Sequence, residues 1–337
     1  MDALSVDGSN VDASVAESMP WLAGERRRLR EAREVGRLPH SMLLLSAPGL
    51  GAESLAGWTA ALALCEGSGE RPCGACTSCA LLRSASHPDF HVVRLEEDAK
   101  QIKIDQIREL IDALSLMSYR GGFKVGIIEG AEALNANGAN AFLKTLEEPS
   151  GDTLLILVAR PSHRLPATIA SRCLRMVLRP PSADVATAWL DAHGRPGRQW
   201  TAALALSAGA PLLALEFEGG DVASLENEMQ QHIRSIAAGT VDVTLLADAW
   251  SRSNLPLRML WLENWITGRV REQLGEGASS HSAQRGRLPA ALLKAKIRAL
   301  FELLDAAREL RRLGSTGMNQ QLALEALLLG GRAALAT

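Results

Sequence analysis

Short apolar runs alternate with helix-period stripes through the first half of the chain, whereas the second half carries stripes alone. Ser41 to Ser46, Phe90 to Leu95, Lys124 to Ile128 and Leu154 to Ala159 are strand-length runs without a two-residue alternation, the pattern of strands covered on both faces. Between them lie three helical segments. Leu55 to Leu64 is apolar throughout, Ile104 to Met117 sets Ile104, Ile107, Leu110, Ile111 and Leu114 on one stripe, and Asn135 to Glu148 is stopped by Pro149. Pro20 to Leu38 also reads as a helix and carries six arginines, Arg26, Arg27, Arg28, Arg30, Arg33 and Arg37, which are expected to form a solvated face. This alternation predicts an α/β domain with a parallel sheet and helices on both sides.

From Pro180 onward no strand pattern survives. Ala183 to His193 and Thr201 to Ser207 read as helices, Gly209-Ala-Pro211 breaks the chain, and Gly219-Gly220 reads as a linker. Beyond it, Trp261 and Trp265 sit one helical turn apart and are expected in a core. A long helix runs from Pro289 to Leu313, and Gln320 to Leu329 forms the last one. Gly275 to Arg287 reads as a flexible loop. Met1 to Met19 is polar and mildly acidic, without the basic start and apolar core of a signal peptide, and is expected to be a disordered tail.

Composition narrows the possible functions. With 36 basic against 38 acidic residues, the chain has no global charge with which to grip nucleic acid. The longest apolar runs are far too short to span a bilayer, so a cytoplasmic protein is expected. Length alone, 337 residues, suggests two or three domains.

Four of the five cysteines fall in one cluster, Cys65-x7-Cys73-x2-Cys76-x2-Cys79. A Cys-x2-Cys turn presents two sulfurs from one tight loop, and four thiolates close a tetrahedron with no position left for catalysis. Structural zinc is the favoured reading. An iron–sulfur cluster competes, because Cys-x2-Cys-x2-Cys also occurs in ferredoxin-type runs, although the closing Cys-Pro is missing here. Disulfides do not suit a cysteine-poor chain without a signal peptide.

The segment Ser46-Ala-Pro-Gly-Leu-Gly-Ala-Glu-Ser54 has the outline of a phosphate-binding loop without its chemistry. Such a loop needs glycines for a tight cradle, a lysine on the β- and γ-phosphates and a hydroxyl on magnesium. Gly49 and Gly51 remain, but Ser46 replaces the first glycine, Ala52 the lysine and Glu53 the hydroxyl. A carboxylate at the metal position repels a triphosphate, and a helix N-terminus worth about half a charge does not compensate. The strand Lys124-Val-Gly-Ile-Ile-Glu129 should end in an acidic pair that binds magnesium and polarises water. It ends in Glu129-Gly130 instead. No functional ATP site is expected.

Two further segments are intact. Asn140-Ala-Phe-Leu-Lys-Thr-Leu-Glu-Glu-Pro149, followed by Leu165-Pro-Ala-Thr-Ile-Ala-Ser-Arg-Cys173, resembles the clamp-loader branch of the AAA+ ATPases. With the cysteine insert and the disabled loop, the chain is most similar to that branch's non-hydrolysing accessory subunits in bacteria, from Pro20 to the C-terminus. The resemblance implies an AAA+ base over residues 20–179, a helical lid over 180–219 and a helical oligomerising collar over 220–337. It implies that Arg172 reaches across a subunit interface to the γ-phosphate of a neighbour's ATP, a task suited to a planar, permanently charged guanidinium. Implied partners are the motor (gamma/tau) subunits and a delta subunit of a DNA polymerase III holoenzyme, with the sliding clamp and primer–template DNA reached through the complex. Two departures fit a subunit without turnover: Leu212 stands where active relatives carry arginine after Gly-x-Pro, and Ala159-Arg160 lacks a γ-phosphate-sensing Thr or Asn. Two rivals remain open, an ATP-hydrolysing motor of the same branch and a zinc module that binds nucleic acid.

Overall fold

The computed structural model describes residues 13–96, 99, 101–161, 165–194, 200–217, 222–253, 255–274, 290–313 and 320–335. The expected Gly219-Gly220 linker, the Gly275 to Arg287 loop and residues 1–12 of the expected tail lie outside them.

In chain order the first elements are α1 (Ala13–Glu17), a 3-10 turn at Pro20–Leu22, α2 (Ala23–Glu34), β1 (Ser41–Leu45), α3 (Ala52–Leu64), α4 (Thr77–Arg83) and β2 (Phe90–Val93). They are followed by α5 (Ile104–Ser115), β3 (Lys124–Glu129), α6 (Ala136–Glu147), β4 (Thr153–Ala159), α7 (Ala167–Ala170), β5 (Leu174–Val177) and α8 (Ala183–His193). The remaining helices are α9 (Trp200–Leu206), α10 (Pro211–Glu216), α11 (Val222–Ala238), α12 (Val243–Arg252), α13 (Leu255–Leu274), α14 (Ala290–Leu313) and α15 (Gln320–Leu335).

The strands form one parallel sheet in the order β2-β3-β4-β1-β5. Its central strands are buried along nearly their whole length because helices cover both faces. On one face, Leu55, Trp58 and Leu62 of α3 pack with Met42, Leu44, Val125 and Ile156. On the other, Ile107, Leu110 and Leu114 of α5 and Phe142 and Leu146 of α6 pack with Leu43, Ile128, Leu155 and Leu157. Local signals set the helix ends: Asn135 Oδ1 accepts the Gly138 amide at 2.7 Å as the cap of α6, and Pro149 follows its end.

Contacts divide the chain into two compact units. The first is Met1–Arg198 with Gly209–Glu216; the second is Gln199–Ala208 with Phe217–Thr337. The segment expected as a lid is therefore shared, with α8 and α10 in the sheet unit and α9 in the helical unit. The second unit is held by residues such as Met229, Trp250, Leu262, Leu304 and Leu328. Trp261 is buried there, and its ring stacks on Trp265 with centroids 6.3 Å apart.

Several expectations change. Residues 13–19 are not a disordered tail: α1 is helical, and Ala16 and Met19 are fully buried. The arginines of α2 are only in part a solvated face. Arg26 donates to the Ala16 carbonyl, Arg30 to the Arg71 carbonyl at 3.0 Å, and Arg33 lies over Phe123. Among the elements the sequence did not reveal are α4, hidden in the cysteine spacing, α10, which starts at the Pro211 read as a break, and β5, a four-residue edge strand with Leu174 and Val177 exposed. No helix among the described residues is long and apolar enough to cross a membrane.

Candidate functional site

Three places carry chemistry, all in the sheet unit. At the first, the end of α3 and the start of α4 bring the four cysteines together. Cys65 caps the C-terminus of α3, Cys76 precedes the first residue of α4, and Cys79 lies in that helix's first turn. The four Sγ atoms lie within 4.8 Å of one another, with Cys65 and Cys76 sulfurs 3.9 Å apart. A single tetrahedral ion with metal–sulfur bonds of about 2.3 Å needs sulfur–sulfur edges of about 3.8 Å, so these residues fit one ion with a small contraction. Iron–sulfur cages, in which each cysteine binds a different iron, space their ligands more widely.

Backbone amides already point at the sulfurs: Gly67 and Cys73 donate to Cys65 Sγ at 3.4 and 3.3 Å, and Cys76 donates to Cys73 Sγ at 3.3 Å. The amides of Ala75 and Cys76 bring the Cys73 thiol down to about 6. For Cys76, burial acts upward as the largest single cause but is outweighed by the amides of Cys79 and Glu66 and by the Cys79 thiol, so its pKa falls. Burial pushes Cys65 and Cys79 up. A divalent ion bound by all four would displace these remaining protons.

The cluster is tied to the sheet through side chains with no sequence signature. Glu66 accepts from Ser78 Oγ at 3.0 Å and from Arg120 Nε and Nη2 at 2.6 and 3.1 Å. His87 is buried and lies 3.2 Å from Ser78 Oγ through Nε2. His91 lies in β2. Neither joins the sulfur group.

The second place is the loop between β1 and α3, at the carboxyl edge of the sheet where β1 lies between β4 and β5. In open α/β sheets such switch points hold ligands. Gly49 and Gly51 have φ of +80° and +82°, so the cradle backbone persists. Its surroundings do not. A Cβ on Gly49 would lie 2.5 Å from Leu213 Cβ, and one on Gly51 would lie 2.6 Å from Met19 Sδ. Leu212 N–H donates to the Gly49 carbonyl at 3.1 Å, and Trp21 Nε1 to the Leu50 carbonyl at 2.9 Å.

Ala52 is buried, whereas Glu53 reaches solvent. Enough protein surrounds that carboxyl for desolvation, with Glu129 and Glu132 nearby, to hold its pKa above the usual range. Glu129 is paired with Arg94 at 2.6 and 3.3 Å, and Glu132 accepts the Arg160 amide at 3.1 Å. Gly130, where a water-polarising carboxylate was sought, starts a 3-10 turn with φ of +71°.

The third place is the turn between α7 and β5. Ser171 ends α7, and the Arg172 carbonyl accepts from Ser41 Oγ of β1 at 2.7 Å. The Arg172 guanidinium is half-buried: Nε donates to Glu147 Oε1 at 2.6 Å, Nη2 meets the same oxygen, and Nη1 donates to the Thr168 carbonyl at 2.8 Å. The sequence reads Glu147 as a helix end and subunit contact and does not pair it with Arg172, because nothing local links it to a residue 25 positions on. Cys173 is partly buried and its thiol is pushed up to about 11 by burial, which suits packing and not nucleophilic attack.

This sheet order, the remnant phosphate loop after β1 and the Ser171-Arg172-Cys173 turn before β5 define a clamp-loader-type AAA+ protein. The family described as "DNA polymerase III, delta subunit" matches residues 24–182. The DNA polymerase III subunit delta' of Pseudomonas aeruginosa is 35% identical over 302 residues, covering 86% of this chain and 90% of that protein. That of Escherichia coli K12 is 31% identical over 316 residues, covering 92% and 94%. The chain belongs to the DNA polymerase III delta' family. Among solved structures, a gamma subunit-related protein of Thermotoga maritima aligns at 18% identity with a TM-score of 0.41, over 91% of this chain and 99% of its own.

Proposed function

We propose that this chain is a non-hydrolysing clamp-loader subunit that supplies Arg172 in trans to an ATP-loaded motor neighbour. One observation carries the reading: the loop after β1 leads into a buried Ala52 and into Glu53 where a working site needs lysine and a hydroxyl, while the Ser171-Arg172-Cys173 turn stays at the surface. Leu213 packs against the Cα of Gly49 and Met19 against that of Gly51. Ala52 is buried where a lysine is required, and Glu53 stands at the magnesium position. The partners in this reading are the motor (gamma/tau) subunits and the delta subunit, with the sliding clamp and primed DNA engaged through the assembly. Similarity to the tau subunit of Escherichia coli K12, 33% over 152 residues, supports a shared architecture with the motors.

Cys65, Cys73, Cys76 and Cys79 hold a structural zinc ion in this reading. Four protein thiolates leave no open position, so the ion supplies a cross-link between α3 and α4 and no chemistry.

The test is reconstitution with motor and delta subunits. Arg172→Ala should assemble normally yet lose DNA-stimulated ATPase at the one motor site it faces, by roughly 10²–10³ if a single transition-state charge partner is removed. Bulk ATPase then falls only in part, and clamp loading falls further. Arg172→Lys should not restore full activity, since an ammonium lacks the planar fork. The chain alone should show no magnesium-dependent turnover. Wild-type loading by Arg172→Ala, or hydrolysis that follows the isolated chain through purification, would overturn the proposal.

A further inference from the structure

We infer that Glu147 is the positioning residue for Arg172, clamping one edge of the guanidinium so that the rest can serve a phosphate on a neighbouring subunit. This rests on the trans-arginine reading above. Arg172 is fixed at its base, where its carbonyl accepts from buried Ser41 Oγ at 2.7 Å and its amide donates to the Ile169 carbonyl at 3.0 Å. It is fixed again near its tip by Glu147 Oε1 and the Thr168 carbonyl. A guanidinium carries five N–H groups. Those contacts use Nε, Nη1 and Nη2 once each, leaving two N–H groups without a partner among the described residues, on a side chain that is 34% exposed. A long, mobile arginine is thereby held in one geometry before any phosphate arrives, which lowers the ordering cost of binding in trans.

The placement of Glu147 is hard to explain by stability alone. It is the last residue of α6, where the helix dipole disfavours a carboxylate, and Glu148 follows it. An exposed ion pair of this kind contributes little to folding. Its geometric effect is specific, since one carboxylate oxygen takes both Nε and Nη2.

The experiment uses the full complex with motor and delta subunits. Glu147→Ala, the near-isosteric Glu147→Gln, Arg172→Ala and the double variant Glu147→Ala/Arg172→Ala are compared by DNA-stimulated ATPase and clamp loading. Assembly and thermal unfolding are checked for each. Glu147→Ala should lower kcat at the affected site by roughly 10- to 100-fold, the range expected of a small misplacement, with KM for ATP unchanged. Glu147→Gln should fall between wild type and Glu147→Ala. The double variant should match Arg172→Ala alone, because a positioning residue has nothing left to position. If Arg172→Ala impairs loading and Glu147→Ala does not, the positioning inference fails and the trans-arginine reading stands. It fails equally if Glu147→Ala lowers activity by the same factor with Arg172 already gone. If neither single variant changes activity, both readings fall.

Discussion

Asp89 is buried immediately before β2 and binds the backbone of the loop between α5 and β3. Its Oδ1 accepts the Tyr119 amide at 2.7 Å, and its Oδ2 accepts the Arg120 amide at 3.0 Å and Ser118 Oγ at 3.1 Å. Met117 and Tyr119 in the same loop are 94% and 83% exposed, so burial of side chains does not order it. Asp89→Asn retains the shape and one oxygen. If that oxygen keeps the Tyr119 amide, the new NH2 faces the Arg120 amide, donor against donor; the opposite flip strands Tyr119. Hydrogen bonds to a charged group are worth about 1.5–3 kcal/mol each. Losing one or two of the three, offset by no longer burying a charge, predicts a loss of about 2–4 kcal/mol. Against a total near 5–15 kcal/mol for a domain, that is a large fraction. Urea unfolding of wild type and Asp89→Asn should give this difference, and hydrogen exchange should show faster exchange at Tyr119 and Arg120. The reasoning is refuted by a difference under about 0.5 kcal/mol, the range of an ordinary surface substitution, with unchanged exchange at those two amides.

Metal analysis of the purified chain should find about one zinc per molecule on the four-ligand rule, in colourless protein. Cys76→Ser should release it and destabilise the sheet unit while leaving the helical unit's unfolding transition in place; brown, iron-containing protein would contradict this. Lys124→Met removes the Nζ donor shared by the Leu114 and Leu116 carbonyls and Ser150 Oγ at the end of α5. The Leu114 carbonyl keeps its bond from Ser150 Oγ, and Leu116 and Ser150 reach solvent, so a loss of only about 1–2 kcal/mol is expected by urea titration. His232 Nδ1 accepts from Trp250 Nε1 at 3.1 Å, and burial, helped by Arg258, lowers its pKa against the opposing effect of Glu228. A depressed histidine contributes stability that is complete above its unfolded pKa of about 6.5 and is lost as pH falls through the folded value. His232→Gln should therefore lose less stability than wild type between pH 7.5 and 5.5, and equal losses would show that His232 is not part of the acid response.

What was legible in the sequence was whatever its neighbours along the chain determine. Strands buried on both faces announce themselves as apolar runs, so β1, β3 and β4 were readable to within a residue or two, whereas β5, exposed and four residues long, was not. Three of the four clustered cysteines stand three residues apart, and that spacing alone foretold a group that the fold closes to within 4.8 Å. The substitutions at Ala52, Glu53 and Gly130 were visible as missing chemistry. The packing around the loop was not, because it comes from segments far away in sequence. Met19, in a stretch read as a tail for its polarity, stands against Gly51 from 32 residues upstream. Leu213, next to the Leu212 that stands in place of an arginine, lies against Gly49 from 164 residues downstream. The difference has an experimental consequence. If only the lysine were missing, Ala52→Lys would supply the lost charge; with position 52 buried, the new side chain meets packed core, so the substitution should destabilise the sheet unit and leave magnesium-dependent ATP binding undetectable by calorimetry. Stable protein that binds ATP after Ala52→Lys would show that position 52 accommodates a lysine and that the reasoning from its burial is wrong.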